Sequence, residues 1–162
     1  MTEIVKVGMA DLNVAVSPKR LRTTGLGSCV GIVLFDKIHR IGGLAHIMLP
    51  SSEMVKIGEI NKAKYADTAI PLMVDMMVSL GANKSLLVAK LAGGAQMFQF
   101  QTQNEMMRIG PRNVTASKEA LAKLNIPIIA EDVGENYGRT IELDTETGIL
   151  SIKTANKGIN EL

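Results

Sequence analysis

Thr23-Thr24-Gly25-Leu26-Gly27-Ser28-Cys29-Val30-Gly31-Ile32-Val33-Leu34-Phe35, then Asp36 to Arg40, then Ile41-Gly42-Gly43-Leu44-Ala45-His46-Ile47-Met48-Leu49-Pro50, is the stretch that decides how this chain reads. Two apolar runs, 30–35 and 41–49, flank a polar pentapeptide, the pattern of two strands joined by a hairpin turn. The stretch carries the only cysteine and one of the two histidines. A turn centred between Lys37 and Ile38 sets Cys29 directly opposite His46, where facing Cβ atoms lie about 4.5–5.5 Å apart. That separation suits a thiol and an imidazole acting as nucleophile and base. A register slip breaks the alignment.

The flank supplies what acyl chemistry further needs. Gly25 and Gly27 let the backbone approach a substrate closely, and the N–H groups of Ser28 and Cys29 are the candidate donors to an oxyanion. His46 is the candidate base that takes the thiol proton and returns it to a leaving amine, and the pairing predicts a Cys29 pKa below the roughly 8.5 of free cysteine. Thr23, through its hydroxyl or its carbonyl, is the candidate that orients His46. Against this stands the plainer reading, because free cysteine is among the most buried residue types and a histidine on an apolar strand is often a satisfied core residue. His39, in the turn, reads as a solvated side chain.

The rest of the composition narrows the field. At 162 residues the chain fits one domain spanning 1–162, with 46% hydrophobic and 21% charged residues, as expected for a soluble globular protein. Ten Met, no Trp, two Tyr and three Phe imply an aliphatic, methionine-filled interior. A net charge of +2 without a basic stripe argues against nucleic acid, although Arg20 and Arg22 form a local basic pair that would favour an acidic partner. One Cys and two His make a zinc site improbable, and no metal or cofactor is expected. With no signal-peptide pattern and no apolar run long enough to span a bilayer, the expected location is the cytoplasm, without membrane insertion.

Outward from the central stretch, residues 3–9 and 11–16 read as short strands and Ser17-Pro18-Lys19 as a turn. Ser51 to Asn61 reads as an exposed loop beside His46 with a role in substrate access. Asn61 caps a helix reaching about Leu80, with a kink expected at Pro71. Residues 86–91 form a strand ending at Gly93-Gly94, which with Met97 and Phe98 offers a substrate or partner rim. Gln99 to Met107 reads as a loop or short helix, and Asn113 starts the second helix. Strands follow at 126–131, 139–143 and 149–153, and the tail from about 155 reads as frayed. Hairpins outnumber βαβ crossovers, so the class is α+β, with mixed, largely antiparallel sheets and two main helices.

Thr23 to Val30 and Ala45-His46-Ile47-Met48-Leu49-Pro50 closely resemble the chemoreceptor glutamine deamidase family, CheD, of bacterial and archaeal chemotaxis. The resemblance continues through Lys64-Tyr65-Ala66-Asp67, Ala89 to Phe98, Ile109-Gly110-Pro111-Arg112-Asn113, Glu131-Asp132-Val133-Gly134 and Tyr137-Gly138-Arg139. One departure is Val133-Gly134-Glu135, where the family pattern implies a double glycine. The resemblance implies a Cys29, His46, Thr23 triad, a layered α/β/β sandwich similar to the catalytic domain of deamidating bacterial toxins, and hydrolysis of receptor glutamines to glutamate. It also implies chemoreceptor cytoplasmic helices as substrate and a CheC-type phosphatase as regulatory partner. Gly25, Gly27, Met48, Gly93, Gly94 and Phe98 are the expected rim of the site. A non-catalytic adaptor, or a thiol methylesterase or protease, remains the alternative.

Overall fold

The structure, a computed structural model, describes residues 2–55, 58–97, 108–155 and 158–162. Along the chain come β1 (Ile4–Lys6), β2 (Asp11–Val16), β3 (Arg20–Leu26), β4 (Val30–Asp36), β5 (Ile41–Ile47), α1 (Ala66–Ser79), β6 (Val88–Gly93), α2 (Ile109–Lys123), β7 (Ile128–Val133), β8 (Arg139–Asp144), β9 (Leu150–Thr154) and β10 (Gly158–Glu161). One sheet runs β2-β5-β4-β6-β7 and the other β1-β3-β8-β9-β10. Both helices pack on the outer face of the first sheet, and the second sheet covers its inner face. The layering is therefore helix, sheet, sheet, an α+β sandwich.

Every residue of β4 and β5 is buried. Ile32, Leu34, Ala45 and Ile47 join the core under the helices, while Val33 and Leu44 join the inter-sheet core with Leu21, Ile141 and Leu143. A strand covered on both faces reads as a continuous apolar run. Close packing on both sides also explains the glycine pair on β5. A Cβ on Gly43 would sit 2.8 Å from the Met73 side chain of α1, and one on Gly42 2.7 Å from Leu143 of β8.

The hairpin register differs from the expected one. Val30 pairs with Ile47, Gly31 with His46 and Asp36 with Ile41, so the turn is centred one residue later, between Ile38 and His39. Asp36 is the reason. Its buried carboxylate accepts from the N–H groups of Ile38 and His39 (both 3.0 Å), from Asn83 N–H (2.8 Å) and from His39 Nδ1 (2.8 Å), which makes it the last strand residue and not the first turn residue. Burial alone would raise this carboxyl, but the Asn83 and His39 donors hold it below its ordinary value. His39, expected to be free in solvent, is half-exposed and bound to Asp36.

Other boundaries move for identifiable reasons. β3 was not expected, since its alternation is masked by glycine and charge: Leu21 and Thr23 point inward, while Arg20 and Arg22 point outward. These arginines pair with Glu142 at 3.0 and 2.7 Å, so their acidic partner lies on β8 of the same chain. Asn61 caps a 3₁₀ turn, Lys62–Lys64, and α1 begins after it at Ala66. The helix continues through Pro71, whose missing N–H frees only the Asp67 carbonyl in the first turn. The access loop after Pro50 is held to α1, because Ser52 donates from its N–H and its hydroxyl to Asp67 at 2.9 and 2.8 Å. From Gly158 to Leu162 the tail is not frayed. β10 pairs antiparallel with β9, Leu162 and Leu150 exchange backbone hydrogen bonds, and Lys90 Nζ donates to the Leu162 carbonyl at 2.7 Å. Phe98 and Gln99 to Met107 lie outside the described residues.

Glu135, at the position where the resemblance implies a second glycine, adopts φ 61° and so takes the left-handed backbone that glycine favours. That backbone costs a residue with a side chain about 1–2 kcal/mol. Glu135→Gly is expected to raise unfolding stability in urea by about 1 kcal/mol, while Gly134→Ala, at φ 85°, lowers it.

Candidate active site

Three sequence-predicted residues converge between the sheets. Thr23 of β3 and His46 of β5 come from opposite sheets, and Thr23 Oγ1 lies 2.7 Å from His46 Nδ1. Thr23 is 2% exposed, His46 0% and Cys29 7%, so all three lie almost wholly out of solvent. With the observed register, the residue facing His46 is Gly31, and Cys29 lies two positions further along the same inter-sheet face. That is a diagonal neighbour, about 7–8 Å away at Cα in a regular ladder. The register shift keeps Cys29 and His46 on one side of the sheet and leaves a glycine between them. His46 Nε2 is buried and has no hydrogen-bond partner among the described residues, Cys29 included.

The approach to Cys29 is built by irregular backbone. β3 pairs regularly with β8 up to Thr23, then bulges before Leu26, with Gly25 at φ 74°. Because of the bulge, Thr23 and Leu26 both point inward although three positions apart. Gly25 has open space where a side chain would be, while a Cβ on Gly27 would meet the Met97 side chain at 3.4 Å. Met48 is half-buried. Gly93 and Gly94 differ from the rim role expected of them: both are buried, with φ 103° and 65°, and Gly94 N–H donates to the Cys29 carbonyl at 2.8 Å. They form the floor beneath Cys29, close enough that a Cβ on Gly93 would collide with that carbonyl. Neither Ser28 N–H nor Cys29 N–H donates to another residue among those described.

The electrostatics run against a preformed ion pair. Burial pushes the Cys29 thiol up, only partly offset by its own backbone N–H, and burial pushes His46 down. Both shifts favour the neutral forms. The lowered thiol pKa predicted from the pairing is therefore not present in the resting site; the desolvating walls outweigh a histidine that does not yet touch the sulfur.

The chain matches the family model described as CheD chemotactic sensory transduction over residues 48–154. It is 56% identical over 162 residues to the chemoreceptor glutamine deamidase CheD of Halalkalibacterium halodurans, covering 100% of both chains. Against the chemoreceptor glutamine deamidase CheD of Bacillus subtilis it is 52% identical, covering 96% of this chain and 93% of the other. This chain belongs to the CheD family. Among solved structures, the Bacillus licheniformis hypothetical protein YfiH shares the fold at TM-score 0.50 and 15% identity, covering 78% of this chain and 51% of that one.

Two polar residues packed at this candidate site escaped the sequence reading. Asn113, expected to start α2, lies inside the helix because α2 begins at Ile109, and it is fully buried against the site. Arg139 of β8 crosses to the other sheet, donating to Asp132 at 3.0 Å and to the carbonyls of Gly134 and Gly93 at 3.1 and 3.5 Å. The signal that could have found them is a polar residue whose flanking pattern demands burial. For the thiol, the expected outcome is that iodoacetamide alkylation of Cys29 in the CheD chain rises with pH through a midpoint above the roughly 8.5 of free cysteine; a midpoint below it would show a resting thiolate.

Proposed function

We propose that this chain hydrolyses the side-chain amide of glutamine residues in chemoreceptors, giving glutamate and ammonia. The observation that carries the reading is His46, fixed at Nδ1 by Thr23 and, among the described residues, unpaired at Nε2, on the same inter-sheet face as the sole cysteine. The relatives named as chemoreceptor glutamine deamidases supply the substrate class.

In the working tautomer Nδ1–H donates to Thr23 Oγ1, which leaves the Nε2 lone pair free to act as base. Nε2 takes the Cys29 proton as sulfur bonds to the carboxamide carbon, and the carbonyl electron pair moves onto oxygen, held by the N–H groups of Cys29 and Ser28. The C–N bond then breaks, and the imidazolium gives its proton to the departing ammonia. Water, deprotonated by His46, attacks the thioester, and the thiolate leaves and recovers its proton. Both groups start neutral, so proton transfer accompanies attack and a buried site never has to hold a bare ion pair before substrate arrives.

Cys29→Ala is expected to abolish ammonia release from a receptor cytoplasmic fragment, and His46→Ala to lower kcat by roughly 10²–10⁴-fold, the usual worth of a general base. Thr23→Ala should lose less, since it acts only on the ring's orientation, and Thr24→Ala should lose little. Mass spectrometry of the treated receptor checks the reaction type: intact chains carrying acid in place of amide support it, whereas cleaved chains or demethylated glutamyl esters would replace it with proteolysis or ester hydrolysis. The pH profile of kcat/KM should have a broad plateau, because the His46 limb falls below the ordinary histidine range and the Cys29 limb above that of cysteine.

The CheC-type phosphatase that the resemblance implies belongs, in this reading, at the same mouth. Cys29 is a nearly buried residue that both partners would have to approach, so receptor and phosphatase should compete there. Inhibition overcome by excess receptor is the expected result; a receptor and a phosphatase bound together on one chain would separate the two surfaces.

A further inference from the structure

Asn113 is 0% exposed, and its side-chain amide does one thing: Nδ2 donates to the Ser28 carbonyl at 2.9 Å and to the Met48 carbonyl at 3.0 Å. The orientation of the amide follows from the partners, since the reverse would point Oδ1 at two carbonyl oxygens. Oδ1 itself is buried with no partner among the described residues, a cost of about 1–3 kcal/mol that an apolar residue in its place would avoid. A buried amide that tolerates this is not core filler.

The two carbonyls it holds are informative. Ser28 C=O and Cys29 N–H belong to the same planar trans peptide, in which the two bonds point in opposite directions. Fixing the carbonyl toward α2 fixes the N–H away from α2. That N–H donates to no other residue among those described, and it lies near enough to its own sulfur to favour the thiolate. Met48 stands two residues beyond His46, so the same amide ties the segment after β5 to the segment before β4. α2 is a rigid mount for it. A Cβ on Gly110 would collide with the backbone of Gly94 and Ala95, the segment whose Gly94 N–H holds the Cys29 carbonyl, and Ser117 Oγ donates to the Asn113 carbonyl at 2.7 Å.

We propose that Asn113 is a positioning residue for the oxyanion site: by clamping the Ser28 carbonyl it aims the Cys29 N–H at the developing oxyanion and polarises that peptide. Donation to the carbonyl end of a peptide strengthens its N–H as a donor. This rests on the acyl-transfer reading above.

The test separates the two chemistries open to Cys29. Alkylation by iodoacetamide displaces iodide at a saturated carbon and forms no oxyanion, whereas deamidation does. Asn113→Leu, which keeps a similar shape and has no donor, and Asn113→Ala are expected to lower kcat for ammonia release by about 10–100-fold, below the 10²–10³ lost with an oxyanion donor itself. KM and the iodoacetamide rate at fixed pH should stay within about threefold. An unchanged kcat, or a kcat and an alkylation rate that fall together, would reduce Asn113 to a structural clamp. Should both variants fail to fold, NMR of the wild-type chain decides: a glutamine-derived peptide aldehyde, which forms a hemithioacetal with Cys29, must move the Cys29 amide and Asn113 Nδ2 proton signals, and unmoved signals overturn the proposal. Loss of activity in Cys29→Ala with retention in Asn113→Leu would leave the deamidase reading standing and this one refuted; activity in Cys29→Ala would remove the reading beneath both.

Discussion

The β4–β5 hairpin has no side that faces water. Helices cover one face and a second sheet covers the other, so a polar group placed on it must be satisfied from inside the protein or remain unpaired. Asp36 meets this constraint with four donors at one end of the hairpin, while His46 meets only half of it at the other, through Thr23. One end is a closed structural knot and the other a site with an open valence. The contrast distinguishes the two histidines better than sequence position does: His39 serves a carboxylate, and His46 keeps a nitrogen free.

That same constraint explains what could be read from the sequence. Continuous apolar runs at 30–35 and 41–49 announced the buried hairpin, and the single cysteine beside them announced the chemistry. Register was harder. The turn could not be centred from composition, because the deciding residue, Asp36, looks like turn material and acts as strand through Asn83, a partner 47 positions away. Long-range pairing likewise hid β3 and β10. The first alternates around a bulge and is legible only beside β8, and the second is exposed along its length and held by its ladder with β9. Asn113 was hidden because α2 starts before a proline, with no side-chain cap to mark its first turn.

The error in register was small in space because it preserved parity. A change of one residue in the turn centre moves each pairing by two positions, so side chains stay on their own face. Cys29 becomes a diagonal neighbour of His46, with Gly31 opposite the imidazole. The space a side chain would need there is already occupied by Ile141 and Leu26, whose methyl groups lie 2.5 and 3.1 Å from a Cβ built on Gly31. An apolar wall on that side accounts for the direction of both pKa shifts, since it withholds water from thiol and imidazole alike.

Arg139 makes the two sheets mechanically unequal along their length. Its guanidinium has no solvent exposure, stacks within 4.6 Å of the Tyr137 ring, and binds Asp132 and two carbonyls at the ends of β6 and β7, although its own strand belongs to the other sheet. Prying the layers apart at that end would strand a buried cation, a change that typically costs about 3–5 kcal/mol. The sandwich therefore behaves there like a book stapled along its open edge. A side chain reaching for Cys29 therefore has to come in over the irregular backbone around Gly25, which leaves open space, while the distance between the sheets stays fixed at the Arg139 end.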